Sequence, residues 1–129
     1  MKIIKFNHSN KTLWYHIGEL VTSDEVAKDL EYPIRSNENC IWYVIFDMYQ
    51  VVGFCCSESK NGYKYFKCDF IVRDKRGCRY YSELFKRRLS DNLGNEIRVT
   101  CNKNSIKTYL KNGFVEVSKN GKYTKLILK

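Results

Sequence analysis

Four basic side chains lie in a short loop that precedes a helix-like segment: Arg73, Lys75, Arg76 and Arg79. The spacing of apolar residues after this loop predicts a helix over residues 80–89. The first backbone N–H groups of a helix lack internal partners, and the helix dipole adds positive potential there. The loop is therefore a candidate site for an anion such as a diphosphate. A solvated loop that is merely basic is the alternative.

A second set of residues follows at regular spacing further along the chain. Asn102 is followed by Ser105, Tyr109, Gly113 and Phe114. This spacing resembles the C-terminal motif of the GNAT N-acyltransferase superfamily. In that motif an asparagine is followed by a small residue three positions on, a tyrosine seven positions on, and then Gly-Phe.

The basic loop resembles part of the same superfamily's diphosphate motif. The superfamily's Arg-Gly-Lys-Gly-hydrophobic run falls on residues 76–80, and the whole resemblance spans residues 42–128. The first motif glycine falls on Arg79, and the second small residue falls on Tyr81. A glycine lets phosphate oxygens approach the backbone closely. Arg79 keeps the backbone N–H but adds bulk and charge. Two alternatives follow: its guanidinium binds a phosphate directly, since it matches phosphate geometry, or it blocks the usual cofactor.

The resemblance implies acetyl-CoA as the cofactor and a binding role for each matched residue. Val72, at the end of its strand, would offer backbone groups to the pantetheine arm of the cofactor. The backbone of residues 76–81 would hold the diphosphate, and Asn102 would hydrogen-bond the arm. The implied cofactor-binding residues are Val72, Arg76, Gly77, Cys78, Arg79, Tyr80, Tyr81, Asn102 and Ser105.

Tyr109 is the proton donor that the resemblance implies for the departing thiolate. A thiol has a pKa of about 8.5 and a phenol a pKa of about 10, so a proton can be shared or transferred between them. A core position is the alternative, because Tyr109 lies at helical spacing with Ile106 and Leu110.

Asp69 and Glu58 are candidate general bases, because an amine acceptor must lose a proton before it attacks a thioester. Asp69 lies on the strand that leads to the basic loop, and Glu58 lies on the strand before it. A chain of water molecules would serve as well. For each carboxylate, an ordinary surface or strand-edge position is the alternative.

The elements that must position these residues follow from hydrophobic periodicity. We expect an α/β (α+β mixed) fold, with a GNAT-like central mixed sheet of six to seven strands and about four helices on its two faces. A strand, a helical crossover and another strand imply local parallel pairing. Thr22 and Glu25 have capping-box spacing at the second helix. Strands are predicted over residues 2–6, 41–46, 51–56, 63–72, 97–101, 114–117 and 123–128, and the main helices over 12–21, 80–89 and 102–111.

The length and composition are those of one globular domain over residues 1–129. The chain is 43% hydrophobic and 15% aromatic, and its formal net charge is +9. This charge favours negatively charged partners, among them nucleotides and nucleic acid. The basic run at residues 86–88 is either a solvated helix face or an extension of a nucleic-acid surface. The Lys- and Asn-rich composition hints at an AT-rich genome, such as that of a phage or mobile element.

The N-terminus has no long apolar run, so we expect neither a secretion signal nor a membrane span. The expected location is then the cytoplasm, where thiols stay reduced. The six cysteines form no C-x-x-C pair and no metal-ligand pattern, so we expect free thiols in the core and no metal. His8 and His16 are expected to be structural or exposed.

Three hypotheses for function follow. The first is an N-acetyltransferase that transfers acetyl from acetyl-CoA to an amine, on a protein or a small molecule, by direct attack. The second is a nucleic-acid (DNA base) modifying enzyme on the same scaffold with non-standard cofactor use. The third is a non-catalytic binding protein that keeps the fold. Neither the acceptor nor the oligomeric state can be derived from the residues.

Overall fold

The computed structural model describes residues Met1–Lys129. One sheet of seven strands carries four α-helices, as the periodicity predicts. No helix has both the length and the apolar composition needed to cross a membrane. In chain order the elements are β1 (Lys2–Asn7), α1 (Lys11–Val21), α2 (Asp24–Leu30), β2 (Cys40–Asp47), β3 (Gln50–Lys60), β4 (Tyr63–Ile71), a 3-10 turn (Arg73–Lys75), α3 (Tyr80–Asp91), β5 (Ile97–Cys101), α4 (Ile106–Lys111), β6 (Val115–Asn120) and β7 (Tyr123–Leu128).

The strands lie in the order β1-β2-β3-β4-β5-β7-β6. Only β4 and β5 pair in parallel, and every other neighbouring pair is antiparallel, which confirms the predicted mixed sheet. The parallel ladder is short. It joins Lys64, Tyr65 and Phe66 to residues 97–99. Beyond Phe66 both strands continue without pairing, so a gap opens in the middle of the sheet.

Side chains on the two faces of the central strands pack under different helices. Cys56 lies in a cluster with Leu13 of α1 and Val26 of α2, whereas Cys55 lies with Leu84 of α3. The helices therefore cover both faces, and the two adjacent cysteines point in opposite directions, as predicted. Full burial of a leucine such as Leu13 or Leu84 contributes about 1.5–3 kcal/mol. All six cysteines are free. Five are buried, which confirms the expected core position for them, whereas Cys78 is exposed.

A β-bulge interrupts β4 at Cys68. The register between β3 and β4 shifts between Phe54 and Cys56, and Cys68 has a φ of +61°. A bulge bends its strand and strengthens the local twist. It lies two residues beyond the last parallel pair, where β4 leaves β5, and so contributes to the opening of the gap.

The start of α2 differs from the predicted capping box. Ser23 is the N-cap, and its hydroxyl accepts a hydrogen bond from the Val26 N–H at 3.3 Å. The Thr22 hydroxyl instead donates back to the last turn of α1. Glu25 does not reach back either, because its carboxylate accepts from the Arg73 N–H at 2.8 Å. Glu25 therefore forms a long-range hydrogen bond with Arg73 in place of the predicted capping-box contact.

Helix α4 begins at Ile106, four residues later than predicted. The reason is local: the Asn102 side chain accepts from the Asn104 N–H at 2.9 Å and holds a turn there. Asn side chains compete with helical hydrogen bonding in this way. The helix ends as predicted before Gly113, which has a φ of +92° and follows the C-cap.

Candidate functional site

A cavity of about 230 Å³ lies where β4 and β5 diverge. Its walls come from the second half of β4, the basic loop, the end of β5, the region around α4, and the end of α2. The gap and the basic loop therefore form one continuous site. The predicted site residues that line it are Asp69, Arg76, Gly77, Cys78, Tyr81, Asn102, Ser105 and Tyr109.

Val72 does not line this cavity, and its backbone is already used. Its N–H donates to the Val52 carbonyl at 2.8 Å, and its carbonyl accepts from the Lys75 N–H at 2.9 Å. Alternate residues of a strand direct their backbone groups to opposite sides. The residue that faces the gap is therefore Ile71, one position earlier. The predicted role of Val72 was wrong by one residue, which in a strand means the wrong side.

Arg79 and Tyr80 also lie outside the cavity. Arg79 occupies the N-cap position of α3, and its side chain is exposed to solvent. It does not line the cavity, so its side chain does not occupy this space. The Tyr80 hydroxyl donates to Asp47 Oδ2 at 2.6 Å, at the tip of the β2–β3 hairpin.

Glu58 lies outside the cavity and holds a residue that lines it. Its Oε1 accepts from Lys67 Nζ at 2.6 Å, and its Oε2 accepts from Asn37 Nδ2 at 3.1 Å. The hydrogen bond from Lys67 is the main reason that the pKa of Glu58 is lowered. Lys67 itself lines the cavity. A carboxylate with a lowered pKa is a weak general base.

Arg88 is completely buried, whereas Lys86 and Arg87 are exposed, so the expected solvated basic run over residues 86–88 is wrong at Arg88 alone. It shares the inner face of α3 with Leu84 and Phe85, four and three residues earlier. Its Nη1 lies 2.7 Å from Asp69 Oδ1, and its guanidinium stacks 4.0 Å from the centre of the Phe66 ring. Arg88 therefore cannot contribute to a nucleic-acid surface.

Two tyrosines converge on the same carboxylate. The hydroxyls of Tyr81 and Tyr109 each donate to Asp69 Oδ2 at 2.6 Å, and Arg88 Nη2 donates to the Tyr109 hydroxyl at 2.9 Å. Burial raises the pKa of both phenols well above their usual range, so both keep their protons at neutral pH. Asp69 thus accepts hydrogen bonds from three side chains at one end of the cavity.

Tyr109 is both a core residue and a residue of the cavity wall, so it fits both of the alternatives that its sequence position left open. Its ring packs edge-on against Phe85 and Phe114, with centroids 5.0 Å away in each case, so the ring belongs to the core. The same residue lines the cavity.

In the basic loop, the backbone at Gly77 has open space beside it, whereas the Arg76 side chain is held by Ile71 and Asp29. Gly77 has a φ of +83°, and no atom lies within 4 Å of where a Cβ would stand. The Arg76 side chain folds back along the cavity wall and stays partly exposed to solvent. Its Nε donates to the Ile71 carbonyl at 2.8 Å, and its Nη1 lies 3.2 Å from Asp29 Oδ1.

The end of α2 reaches across the gap, which the sequence did not indicate. The Asn102 side-chain amide donates to the Asp29 carbonyl at 3.2 Å, and the Tyr32 hydroxyl accepts from the Cys68 N–H at 2.7 Å. These partners are separated by 73 and 36 residues, so no local pattern points to them. For Arg88, by contrast, the spacing with Leu84 was a readable signal.

No group of three or more His, Cys, Asp or Glu side chains lies together as a metal site would require. The chemistry that the cavity offers is that of neutral phenols, backbone N–H and carbonyl groups, and a basic loop.

Comparisons with known proteins give a consistent answer about the fold. No protein-family model matches the sequence, and no curated protein is similar to it in sequence. Among solved structures, the chain is similar to Escherichia coli ElaA, with a TM-score of 0.84, 10% identity and 100% of both chains covered. It is similar to an acyl-CoA N-acyltransferase from Pseudomonas aeruginosa, with a TM-score of 0.81, 14% identity and 99% of both chains covered.

A third solved structure contains coenzyme A. It is the paia N-acetyltransferase from Thermoplasma acidophilum in complex with coenzyme A, with a TM-score of 0.64, 13% identity, and coverage of 100% of this chain and 99% of that one. Similarity over whole chains at such low identity is similarity of architecture. This chain therefore has the fold of the GNAT N-acyltransferase superfamily.

Proposed function

We propose that this protein is an acyl-CoA-dependent N-acyltransferase, and more specifically that it transfers acetyl from acetyl-CoA to an amine on a protein or a small molecule. The observation that carries the proposal is the gap between β4 and β5, which opens directly beside the basic loop at the start of α3. The names of two structural neighbours, an acyl-CoA N-acyltransferase and an N-acetyltransferase in complex with coenzyme A, support it.

The residues around the cavity fit such a ligand. The Ile71 carbonyl and the Cys68 N–H face the gap, where an extended amide-containing arm can add to the strand edge. The loop around Gly77 leaves space beside its backbone, and Lys75 lines the cavity with a positive charge. The N-terminal amides of α3 favour a diphosphate.

When bound, acetyl-CoA would supply a thioester whose carbonyl carbon is open to attack by an amine. The protein contributes the positions of the groups around it. The backbone of residues 76–81 would hold the diphosphate, while Asn102 and Ser105 lie where the arm would pass. A backbone N–H of β4 at the gap would stabilise negative charge on the carbonyl oxygen.

Tyr109 is our candidate proton donor to the departing thiolate. Its phenol carries a proton at neutral pH, because burial raises its pKa. Arg88 Nη2, at 2.9 Å, would stabilise the charge left on the phenol oxygen after the proton leaves. To donate to the cavity, the hydroxyl must turn away from Asp69, to which it now donates.

The base that takes the proton of the amine is proposed from the same geometry. Of the two predicted carboxylates, only Asp69 lines the cavity, and its oxygens already accept from Arg88 and two tyrosines. Glu58 does not line the cavity, so it would affect the proton of the amine only through Lys67, which lines the cavity and donates to Glu58. Water in the cavity is the remaining route for the proton.

Calorimetric titration with acetyl-CoA tests the proposal. We expect saturable binding by the wild-type protein and weaker binding by Lys75→Ala, which removes a charge from the cavity wall. Lys119→Ala on β6 is the matched control, because it removes an exposed lysine that does not line the cavity. Absence of binding to the wild-type protein, or equal weakening by both substitutions, would contradict the proposal.

A further inference from the structure

The Tyr32 hydroxyl accepts a hydrogen bond from the Cys68 N–H of β4, which has no partner on a neighbouring strand. Lys64 N–H donates to the Glu96 carbonyl on the β5 side, at 3.0 Å. Every second residue of a strand directs its N–H to the same neighbour, so before the bulge the N–H groups of Phe66 and Cys68 also face β5. The bulge at Cys68 shifts the alternation by one residue, so that further along β4 Ile71 faces the gap and Val72 faces β3. Because the parallel ladder ends at Phe66, the Cys68 N–H faces the cavity, where Tyr32 Oη accepts it at 2.7 Å.

Along β4, this contact lies further from the basic loop than the Ile71 carbonyl does. An arm that enters from the loop meets Ile71 first and Cys68 three residues later, about 10 Å along the strand. Lys67 and Tyr32 both line the cavity. Under the function proposed above, the diphosphate lies at the loop, so the acyl group lies near Cys68.

The segment that carries Tyr32 is fixed on both sides of the gap. The Asp29 carboxylate pairs with Arg76 at 3.2 Å, and the Asp29 carbonyl accepts from Asn102 at 3.2 Å. Leu30 is buried in the core under α2. The Tyr32 ring therefore starts from an anchored backbone and moves mainly by rotation of its own side chain.

The Tyr32 oxygen occupies the position that a ligand carbonyl oxygen would take on the Cys68 N–H. Burial raises the pKa of this phenol, so the hydroxyl stays neutral, as a carbonyl oxygen is. The ring attached to that oxygen lines the cavity and is partly exposed to solvent, so it stands between the cavity and solvent where an acyl chain would extend beyond a carbonyl group bound there. An acetyl group needs little of that space, whereas a longer chain needs the ring to leave.

We propose that Tyr32 determines which acyl group the site accepts: its hydroxyl holds the Cys68 N–H and its ring closes the end of the cavity, so that only a short acyl group such as acetyl is accommodated. This inference rests on the proposed function, since it concerns the acyl group of the same ligand. Tyr32 is a specificity-determining residue, distinct from the residues proposed to bind the diphosphate and to donate the proton.

The test is calorimetric titration of CoA, acetyl-CoA and octanoyl-CoA into the wild-type protein, Tyr32→Phe and Tyr32→Ala. We expect the wild-type protein to prefer acetyl-CoA over octanoyl-CoA. Tyr32→Phe frees the N–H for the ligand carbonyl, so acetyl-CoA should gain about fivefold in affinity relative to CoA, the value of one hydrogen bond. Tyr32→Ala also removes the ring, so octanoyl-CoA should gain at least about tenfold relative to acetyl-CoA, since each newly buried methylene contributes about fourfold.

Tyr123→Phe is the matched control. It removes the other phenolic hydroxyl that contacts this segment, which donates to the Glu31 carbonyl at 3.4 Å, without touching Cys68. Its affinity ratios should equal those of the wild-type protein. Wild-type binding of octanoyl-CoA as tight as that of acetyl-CoA, with ratios unchanged in both Tyr32 variants, overturns the role of Tyr32 alone. Absence of binding of all three ligands to all of these proteins overturns the proposed function as well.

Discussion

The guanidinium of Arg88 and the carboxylate of Asp69 form a two-bond ion pair, with Nη1 2.7 Å from Oδ1 and Nη2 2.9 Å from Oδ2. Arg88 is fully buried on α3, and Asp69 stands on the cavity wall of β4. Because Tyr81 and Tyr109 donate to the same carboxylate, the pair fixes the positions of both phenols. Helix α3 is thereby joined to the site through one carboxylate.

Arg88→Leu should destabilise the protein by about 3–5 kcal/mol, because it leaves the Asp69 charge almost buried and without its cation. Urea denaturation followed by circular dichroism measures this loss. Arg87→Leu is the matched control: Arg87 is exposed and its pair with Asp91 spans 3.5 Å, so the loss should be within about 1 kcal/mol.

The double variant Asp69→Asn with Arg88→Leu should be more stable than Arg88→Leu alone, since it no longer buries a lone carboxylate. A double variant whose loss equals the sum of the two single losses would show that the two residues are not coupled.

Tyr109→Phe should lower turnover by about 100-fold or more while the Kd for acetyl-CoA stays nearly constant, as expected for loss of a proton donor. Tyr81→Phe is its control, because it removes an equal 2.6 Å hydrogen bond to Asp69 without removing the proposed donor. Thiol release from acetyl-CoA, with an amine acceptor found by screening, measures turnover. Equal turnover in the two variants would remove Tyr109 from the mechanism.

Gly77→Ala should weaken acetyl-CoA binding at least threefold and destabilise the protein by about 1–2 kcal/mol, because its φ of +83° is unfavourable for any residue with a Cβ. Gly62, in the β3–β4 turn, has nearly the same φ of +82° and the same open surroundings. Gly62→Ala should therefore cost similar stability and leave binding unchanged. If both variants bind acetyl-CoA as the wild type does, the loop backbone is not part of the site.

Stability should fall in acid partly through Glu58. The hydrogen bond from Lys67 lowers the folded-state pKa of Glu58 below its ordinary value of 4.5. Its contribution is therefore complete above that value and is lost as the pH falls through the folded-state pKa. Glu58→Gln should show a smaller loss of thermal stability than the wild type between pH 5 and about pH 3. An identical pH profile in both proteins would contradict this contribution.

Regular elements were predictable because their signals are local. The alternating apolar runs gave β2 and β3, and the order strand, helix, strand gave the parallel pair of β4 and β5. Val72 was misplaced because a one-residue error at a strand end reverses the side that a residue faces. The capping box of Thr22 and Glu25 was predicted wrongly because the Glu25 carboxylate accepts a hydrogen bond from the Arg73 N–H, 48 residues away.

The site was only partly predictable for a similar reason. Tyr109 and Asn102 carry a readable spacing, whereas Tyr32 and Asp29 enter the cavity through contacts between distant segments. Arg88 was assigned to solvent because a charged residue is rarely buried without a partner. The partner, Asp69, lies 19 residues away on another element, which the sequence does not reveal.

The central claim is that the gap between β4 and β5 and the basic loop together bind an acyl-CoA. A crystal structure of the complex with acetyl-CoA tests it most directly. We predict the diphosphate on the backbone amides between Gly77 and Tyr81 and the arm along β4 from Ile71 to Cys68. The Arg76 side chain should leave the Ile71 carbonyl and the Tyr32 hydroxyl should leave the Cys68 N–H, while the Tyr32 ring stays beside the acetyl group. Crystals grown with saturating acetyl-CoA in which Arg76 still covers the Ile71 carbonyl, or in which the ligand binds elsewhere, would contradict the claim.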